Sequence, residues 1–187
     1  KTDQTHFCLG CRAYNLFHPK RYAQEVLSVI LGGMMSSRLF IEVREKRGLA
    51  YYVSTSDEAD TDTGYLVTQA GVDNKKAQEA VSVIIKEYKK IAEKVVPMPE
   101  LKKAKDCIKG KMALLLETSD AQASFFGAQE LLENKILSPE QIYQKIDKVS
   151  QDDILKAAKE IFRPDKLNLA IIGPFQDKSK FEKLLTL

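Results

Sequence analysis

The sequence has no tryptophan, only two histidines and only three cysteines in 187 residues, and each scarcity removes a class of chemistry. With His6 and His18 alone, neither a His-Glu-x-x-His motif nor its inversion can be written, so a catalytic zinc site made wholly by this chain is excluded. There is no Gly-x-Ser-x-Gly elbow for a serine nucleophile. Gly32-Gly33 lacks the following Lys-Ser/Thr that a phosphate-cradling loop needs. Cys8, Cys11 and Cys107 are an odd number and form no disulfide framework. Cys8-x-x-Cys11 lies in strand-like sequence, where residues three apart point to opposite faces, and no second pair exists to complete four ligands. Free thiols suit a reducing compartment, and the cytoplasm is the expected location. No apolar run is long enough to cross a membrane, and no signal peptide is visible. Net charge is +3, with lysines and acids mixed along the helices. That is too mild for a nucleic-acid partner, which needs a concentrated basic face.

What is present is ordinary for a globular domain: 44% hydrophobic and 29% charged residues, in a length that supports one domain, residues 1–187, with a full core. Lys1 is not Met and leads directly into strand-like sequence, which reads as a processed chain or a piece of a longer protein. Thr5 to Tyr14 is β-favouring without helical period. Lys20 to Leu31 is apolar on nearly all sides late in the run, as in a deeply buried helix, and Gly32-Gly33 ends it in the left-handed conformation that glycine accepts. Ser36 or Ser37 can cap a second short helix with Leu39, Phe40 and Val43 on one face. Its last turn is the basic cluster Arg44-Glu45-Lys46-Arg47, and Gly48 stops it.

Ala50 to Ser56 and Gly64 to Gly71 read as two antiparallel strands joined by Asp57 to Thr63. Asp73 or Asn74 caps the clearest helix, Lys75 to Lys94. Its apolar stripe is Val81, Ile84, Ile85, Tyr88, Ile91, Ala92 and Val95. Pro99 is placed to begin the next helix, which runs from Leu101 to Glu117 with a basic outer face. Ser119-x-x-Gln122, Ser138-Pro139-Glu140-Gln141 and Ser150-x-x-Asp153 read as three further helix starts. Lys166 to Ile172 is a strand, and a short helix follows Gly173-Pro174. The order β-α-α-β-β-α-α-α-α-α-β-α lacks the alternation of a doubly wound fold. It predicts an α+β layer: a mostly antiparallel sheet with helices packed on one face.

The candidate chemistry lies in Leu31 to Ser56. A tight turn at Gly48 can bring an arginine at the end of a helix near a tyrosine at the start of a strand. A guanidinium and a phenol converging on one point can hold a carbonyl oxygen and stabilise charge developing on it. On the same physical grounds Arg44 also serves as a helix-terminal cation, and Tyr51 as a half-buried strand residue. His6 and His18 have no partner visible in the sequence and read as structural.

The run LSVILGGMMSSRLFIEVREKRGLAYYVSTS closely resembles a signature of C-terminal domains in the pitrilysin/insulinase family, the inverzincin metallopeptidases that include the mitochondrial processing peptidase. Gln4-Thr5-His6 with Leu9-Gly10, Pro19-x-Arg21-Tyr22-Ala23, Gln129-Glu130-Leu131-Leu132, Val149-x-x-Asp152-Asp153 and Leu169-Ala170-Ile171-Ile172-Gly173-Pro174 extend the resemblance over nearly the whole chain. Two departures stand out: Met34-Met35 where glycine then methionine is usual, and Cys11-Arg12-Ala13 in place of a small or proline-containing segment. The resemblance implies a half-domain of the LuxS/processing-peptidase type. It would face a zinc-bearing N-terminal domain, in the same chain or in a partner subunit, that carries His-x-x-Glu-His and a distal glutamate. It further implies that Arg44 and Tyr51, with Tyr52 as a competitor for Tyr51, hold a peptide substrate and assist its hydrolysis. The zinc would belong to the partner domain, and this segment alone would be inactive. A second expectation is a non-catalytic scaffold or partner subunit of a peptidase-like complex; a third is an unrelated α+β interaction domain. A domain built to face another can expose an apolar patch and self-associate when alone.

Overall fold

The computed structural model describes residues 3–187. Its sheet is built from β1 (Gln4–Arg12), β2 (Ala50–Ala59), β3 (Gly64–Asp73) and β4 (Leu167–Ile172) in the order β2-β3-β1-β4, with every pairing antiparallel. Strand alternation decides which face is covered. Thr5, Phe7, Leu9 and Cys11 of β1, with Leu66, Thr68, Ala70 and Val72 of β3, are buried under the helices. His6, Cys8 and Arg12 point to the opposite, open face. The expected α+β layer with helices on one face is the observed architecture.

The helices are α1 (Arg21–Gly32), α2 (Ala77–Glu93), α3 (Met98–Leu115), α4 (Ser119–Glu133), α5 (Pro139–Lys148), α6 (Gln151–Ile161) and α7 (Ser179–Glu182). A π-helical segment, Phe40–Glu45, separates α1 from β2. No helix among the described residues is long and apolar enough to cross a membrane. α1 is the axial element: Val26, Leu27, Ile30 and Leu31 are fully buried, as its nearly uniform apolar sequence predicts. Tyr88 of α2 is fully buried as well. Its hydroxyl donates to the Leu9 carbonyl at 3.2 Å and lies 2.6 Å from Thr68 Oγ1, itself 2.8 Å from Thr55 Oγ1. A relay of hydroxyls thus satisfies four polar groups inside the core, where each left unpaired would cost ~1–3 kcal/mol.

Several local expectations change. Gly33, which follows α1, has φ −83° and so is not left-handed. The glycines serve close approach instead: a Cβ on Gly32 would sit 2.4 Å from the backbone nitrogen of Thr55. Neither Ser36 nor Ser37 caps the next segment, and Ser37 Oγ is buried without a partner. The segment is π-helical rather than α-helical. Thr118, not Ser119, caps α4. Val95 lies past the end of α2 and is exposed, while Val96 takes the core position. The other starts hold: Asp73 accepts from the Lys75 amide, and Ser138 and Ser150 open α5 and α6 with complete capping boxes.

Candidate functional site

The stretch from Gly32 to Tyr52 is fixed at its beginning and open at its end. Gly32 seats against Thr55. Lys111 Nζ donates to the Gly33 carbonyl at 2.6 Å and Lys103 Nζ to the Ser36 carbonyl at 3.3 Å. Arg38 then meets Glu100 of α3 through two bonds of 2.8 Å, a bidentate fork with both side chains largely buried. Past this anchor the helix widens. The Lys46 amide donates to the Ile41 carbonyl and the Leu49 amide to the Val43 carbonyl, loops one and two residues larger than an α-turn. Such π-segments re-aim the residues that follow them. Val43 stays buried, while residues 44–48 all face solvent.

Gly48 has φ +56°, the left-handed conformation the sequence predicts there. Its carbonyl accepts from Lys76 Nζ at 2.9 Å, which ties the turn to the segment leading into α2. β2 begins directly afterwards with a bulge. Ala50 pairs with Val72 and Tyr52 with Gly71, so Tyr51 is the extra residue. A bulge breaks the alternation of side chains and is a common way to redirect one. Here both tyrosines reach solvent: Tyr51 is 56% exposed and Tyr52 40%. The reading of Tyr51 as a half-buried strand residue is therefore wrong, because the bulge expels it.

The two tyrosines differ in what they touch. Tyr52 lies across Gly71, where a Cβ would come 2.4 Å from its ring, and its hydroxyl is 3.2 Å from His6 Nδ1. Tyr51 makes no side-chain hydrogen bond among the described residues. Arg44 makes no ion pair or hydrogen bond through its guanidinium there, which instead rests 5.0 Å from the Phe40 ring centroid. Its basic neighbours are engaged: Lys46 Nζ and Arg47 Nη1 both reach Glu42, at 2.6 and 2.5 Å. These two cations hold the Glu42 carboxyl down to about 2. No hydrogen bond joins Arg44 to either tyrosine. Sequence reasoning named Arg44, Tyr51 and Tyr52 as candidates; the structure places His6, Gly71, Phe40 and Glu42 against or beside them, which the sequence reading did not. The Glu42–Lys46 spacing was visible as a helical i, i+4 pair. His6 and Gly71 join the site only through sheet register, for which the chain carries no local signal.

The residues present do not fit a zinc ion. Among the described residues, no three His, Cys, Asp or Glu side chains converge. His6 faces Tyr52 on the open sheet face. His18 stacks on Tyr14 at 3.9 Å and accepts from the Lys20 amide, and burial followed by the charge of Lys20 lowers its pKa. Cys8 is exposed, whereas Cys11 is in the core, its thiol pushed up to about 12 by burial.

The chain is an α+β domain with one bare sheet face and an exposed arginine and tyrosine across a glycine turn. The sequence profile of the peptidase M16 inactive domain matches residues 1–107, more than half of the chain. The chain belongs to the peptidase M16 family, in its inactive domain. It is 32% identical over 174 residues to an uncharacterised zinc protease of Bacillus subtilis (strain 168), covering 93% of this chain and 42% of that protein. It is 34% identical over 180 residues to one of Streptomyces coelicolor, covering 95% of this chain and 39% of that protein. The chain thus spans about two fifths of the length of these relatives. In fold it is similar to a protease from Helicobacter pylori, with TM-score 0.84 and 24% identity, covering 92% of this chain and 42% of that one. It is also similar to a chain of complex III2 from Candida albicans, with TM-score 0.87 and 18% identity, covering 100% of this chain and 48% of that one.

Proposed function

We propose that the chain is the substrate-holding half of a zinc-dependent peptidase, with the metal held by a companion domain in the same polypeptide or in a partner subunit. The observation that carries this reading is the Gly48 turn, across which Arg44 and Tyr51 are both exposed and unpaired. Arg21, Arg38, Arg47 and Arg163 are bound to carboxylates, whereas among the described residues Arg44, like Arg12 on the open sheet face, is not; an arginine and a tyrosine left free across one turn are groups available for something outside the chain. A peptide in extended conformation offers carbonyl oxygens at regular spacing. Tyr51 would donate its hydroxyl proton in a hydrogen bond to the carbonyl oxygen that gains negative charge during attack, and Arg44 would donate to a neighbouring carbonyl and fix the register. Tyr52, held over Gly71 and bonded to His6, would present its ring to the peptide as a wall. Zinc on the companion would supply the activation of water, and the residues here would bind, orient and stabilise.

Loss of one preorganised donor costs ~3 kcal/mol of transition-state stabilisation. In the complete enzyme, Arg44→Ala and Tyr51→Phe are each expected to lower kcat/KM about 100-fold, with unchanged zinc content and unchanged melting temperature. Wild-type rates in both variants would refute the assignment. A companion lacking zinc ligands, with no hydrolysis at all, would favour the second reading, a scaffold subunit. The fold similarity to a complex III chain is compatible with that reading.

A further inference from the structure

A second concave site lies away from the Gly48 turn. β1 carries the chain from His6, beside Tyr52, to Arg12, and the loop that follows turns back at the far end of the sheet. There the Ala13 amide donates to the Gly64 carbonyl and the Leu16 amide to the Asp60 carbonyl, which fastens the loop to the β2–β3 hairpin. Residues 16–23, with the α4–α5 loop, α5 and the start of α6, border an open cavity of about 510 Å³. That is within the size of small-molecule sites.

Its charge is one-sided. Five cations and two carboxylates line it, an excess as large as the net +3 of the whole chain. Two of the cations are spoken for: Lys20 pairs with Glu160, and Arg21 with Glu133 at 2.7 Å. The other three, Lys135, Lys145 and Lys148, have no carboxylate partner among the described residues. Asp153, the remaining acid of the lining, is held by the amide and hydroxyl of Ser150. Lys145 is half-buried, and its ammonium rests 5.6 Å from the centroid of the Tyr22 ring instead of on an acid. Three ammoniums around one cavity repel each other, and an anion between them turns that repulsion into attraction.

The type of donor narrows the ligand. A carboxylate is matched best by the fork of an arginine. The arginine of the lining is already taken, since Arg21 donates to Glu133, to the Leu16 carbonyl and to the Tyr22 hydroxyl. Lysines are compact point charges that suit a multiply charged anion such as a phosphate. Apolar surface adjoins them: Phe17 is 57% exposed and belongs, with Leu16 and Pro19, to the same lining.

We propose that this cavity binds a small phosphomonoester, with its phosphate among Lys135, Lys145 and Lys148 and its apolar body against Phe17. The site is separate from the Arg44–Tyr51 turn and does not rest on the peptidase reading.

The test is calorimetric titration of the complete protein, with its companion where it has one, in phosphate-free buffer of low ionic strength. The probe is phenyl phosphate, and benzoate offers the same ring with a single charge. Phenyl phosphate is expected to bind about tenfold more tightly than benzoate, and Lys145→Ala with Lys148→Ala to weaken it by about tenfold or more. Lys145 packs on Tyr22, so the melting temperature of that variant is measured as well. Lys135→Gln with Lys148→Gln changes only exposed side chains and is expected to weaken binding in the same direction without touching the ring. Arg44→Ala is expected to bind phenyl phosphate as the wild type does. No saturable binding of phenyl phosphate overturns the proposal, as does equal affinity for benzoate or wild-type affinity in both double variants. Loss of binding in Arg44→Ala also overturns it, since the anion would then sit at the turn. Capture by vesicles of phosphatidylcholine with phosphatidic acid, without binding of soluble phenyl phosphate, overturns it too, since the lysines would then meet a membrane surface.

Discussion

Arg38 and Arg44 stand at opposite ends of one short helical stretch, and they are used in opposite ways. Arg38 is forked onto Glu100, largely buried, with Lys103 and Lys111 fastening the backbone beside it. Arg44 is in solvent with only the Phe40 ring beneath it. Between them the helix widens into a π-segment, so the chain passes from scaffold to presented surface within a few residues. The side chain is the same at both ends; what differs is whether the fold has provided a carboxylate. An arginine with its partner inside the fold is structural, and one denied a partner beside a glycine turn and a bulge is available for a ligand.

The sharpest way to break this contrast is to remove each arginine in turn. Arg38→Ala leaves Glu100 charged, largely buried and without its fork, a situation that costs ~3–5 kcal/mol. Thermal or urea unfolding of the chain should show this loss, and with it a looser segment from Met34 to Glu45. Arg44→Ala removes no ion pair and should stay within ~0.5 kcal/mol of wild type by the same measurement. If the two variants melted alike, the division into anchored and presented ends would be wrong.

The glycines bounding the stretch sharpen the contrast from the backbone side. Gly32 is needed for space, since an added Cβ would press on the Thr55 backbone at 2.4 Å. Gly48 is needed for conformation, since it has φ +56° with nothing within 4 Å of an added Cβ. Gly32→Ala therefore forces α1 away from β2 and is expected to cost ~2–3 kcal/mol, as overpacking does. Gly48→Ala strains one residue in open solvent and is expected to cost ~1 kcal/mol. Chemical denaturation of the two variants measures both, and equal losses would mean that the α1–β2 seam can relax.

The layer architecture and the Gly48 turn were legible in the sequence because they rest on local rules: strand alternation, helical stripes, hydroxyl caps and a glycine after a basic last turn. Arg44, Tyr51 and Tyr52 were named from the Gly48 turn together with the family signature around it, and the structure leaves their roles as a proposal. What was not legible depends on register or on distant neighbours. The bulge that expels Tyr51 arises from the β2–β3 pairing, in which Ala50 meets Val72, Tyr52 meets Gly71 and Tyr51 is left between them. The fork of Arg38 needs Glu100, which only the folded chain brings within reach. Gly32-Gly33 was assigned to the wrong one of two glycine uses because a helix end and a tight helix–strand contact carry the same letters. Ser37 looked like a cap, yet its hydroxyl is turned inward and is unpartnered. α4 could be read as a helix, but nothing in its own sequence announces that it buries only Gln129.

The smallest effect concerns the acid that keeps Arg44 distinct from its neighbours. Glu42 accepts from Lys46 and Arg47, and these two hydrogen-bonded cations lower its carboxyl from the ordinary 4.5 to about 2. A carboxyl depressed in the folded state contributes stability that is present above its unfolded pKa and disappears as pH falls through the folded one. Glu42→Gln should therefore cost most above pH 4.5, and its deficit relative to wild type should shrink between about 4.5 and 2. Lys46 and Arg47 are both substantially in solvent, 61% and 39% exposed, so screening holds the loss to ~1 kcal/mol. The measurement is the difference in unfolding free energy of the two proteins across that range. A deficit that stayed constant with pH would show that Glu42 acts by packing rather than by charge. A deficit that closes as the acid is protonated would show that Glu42 acts through its charge on Lys46 and Arg47.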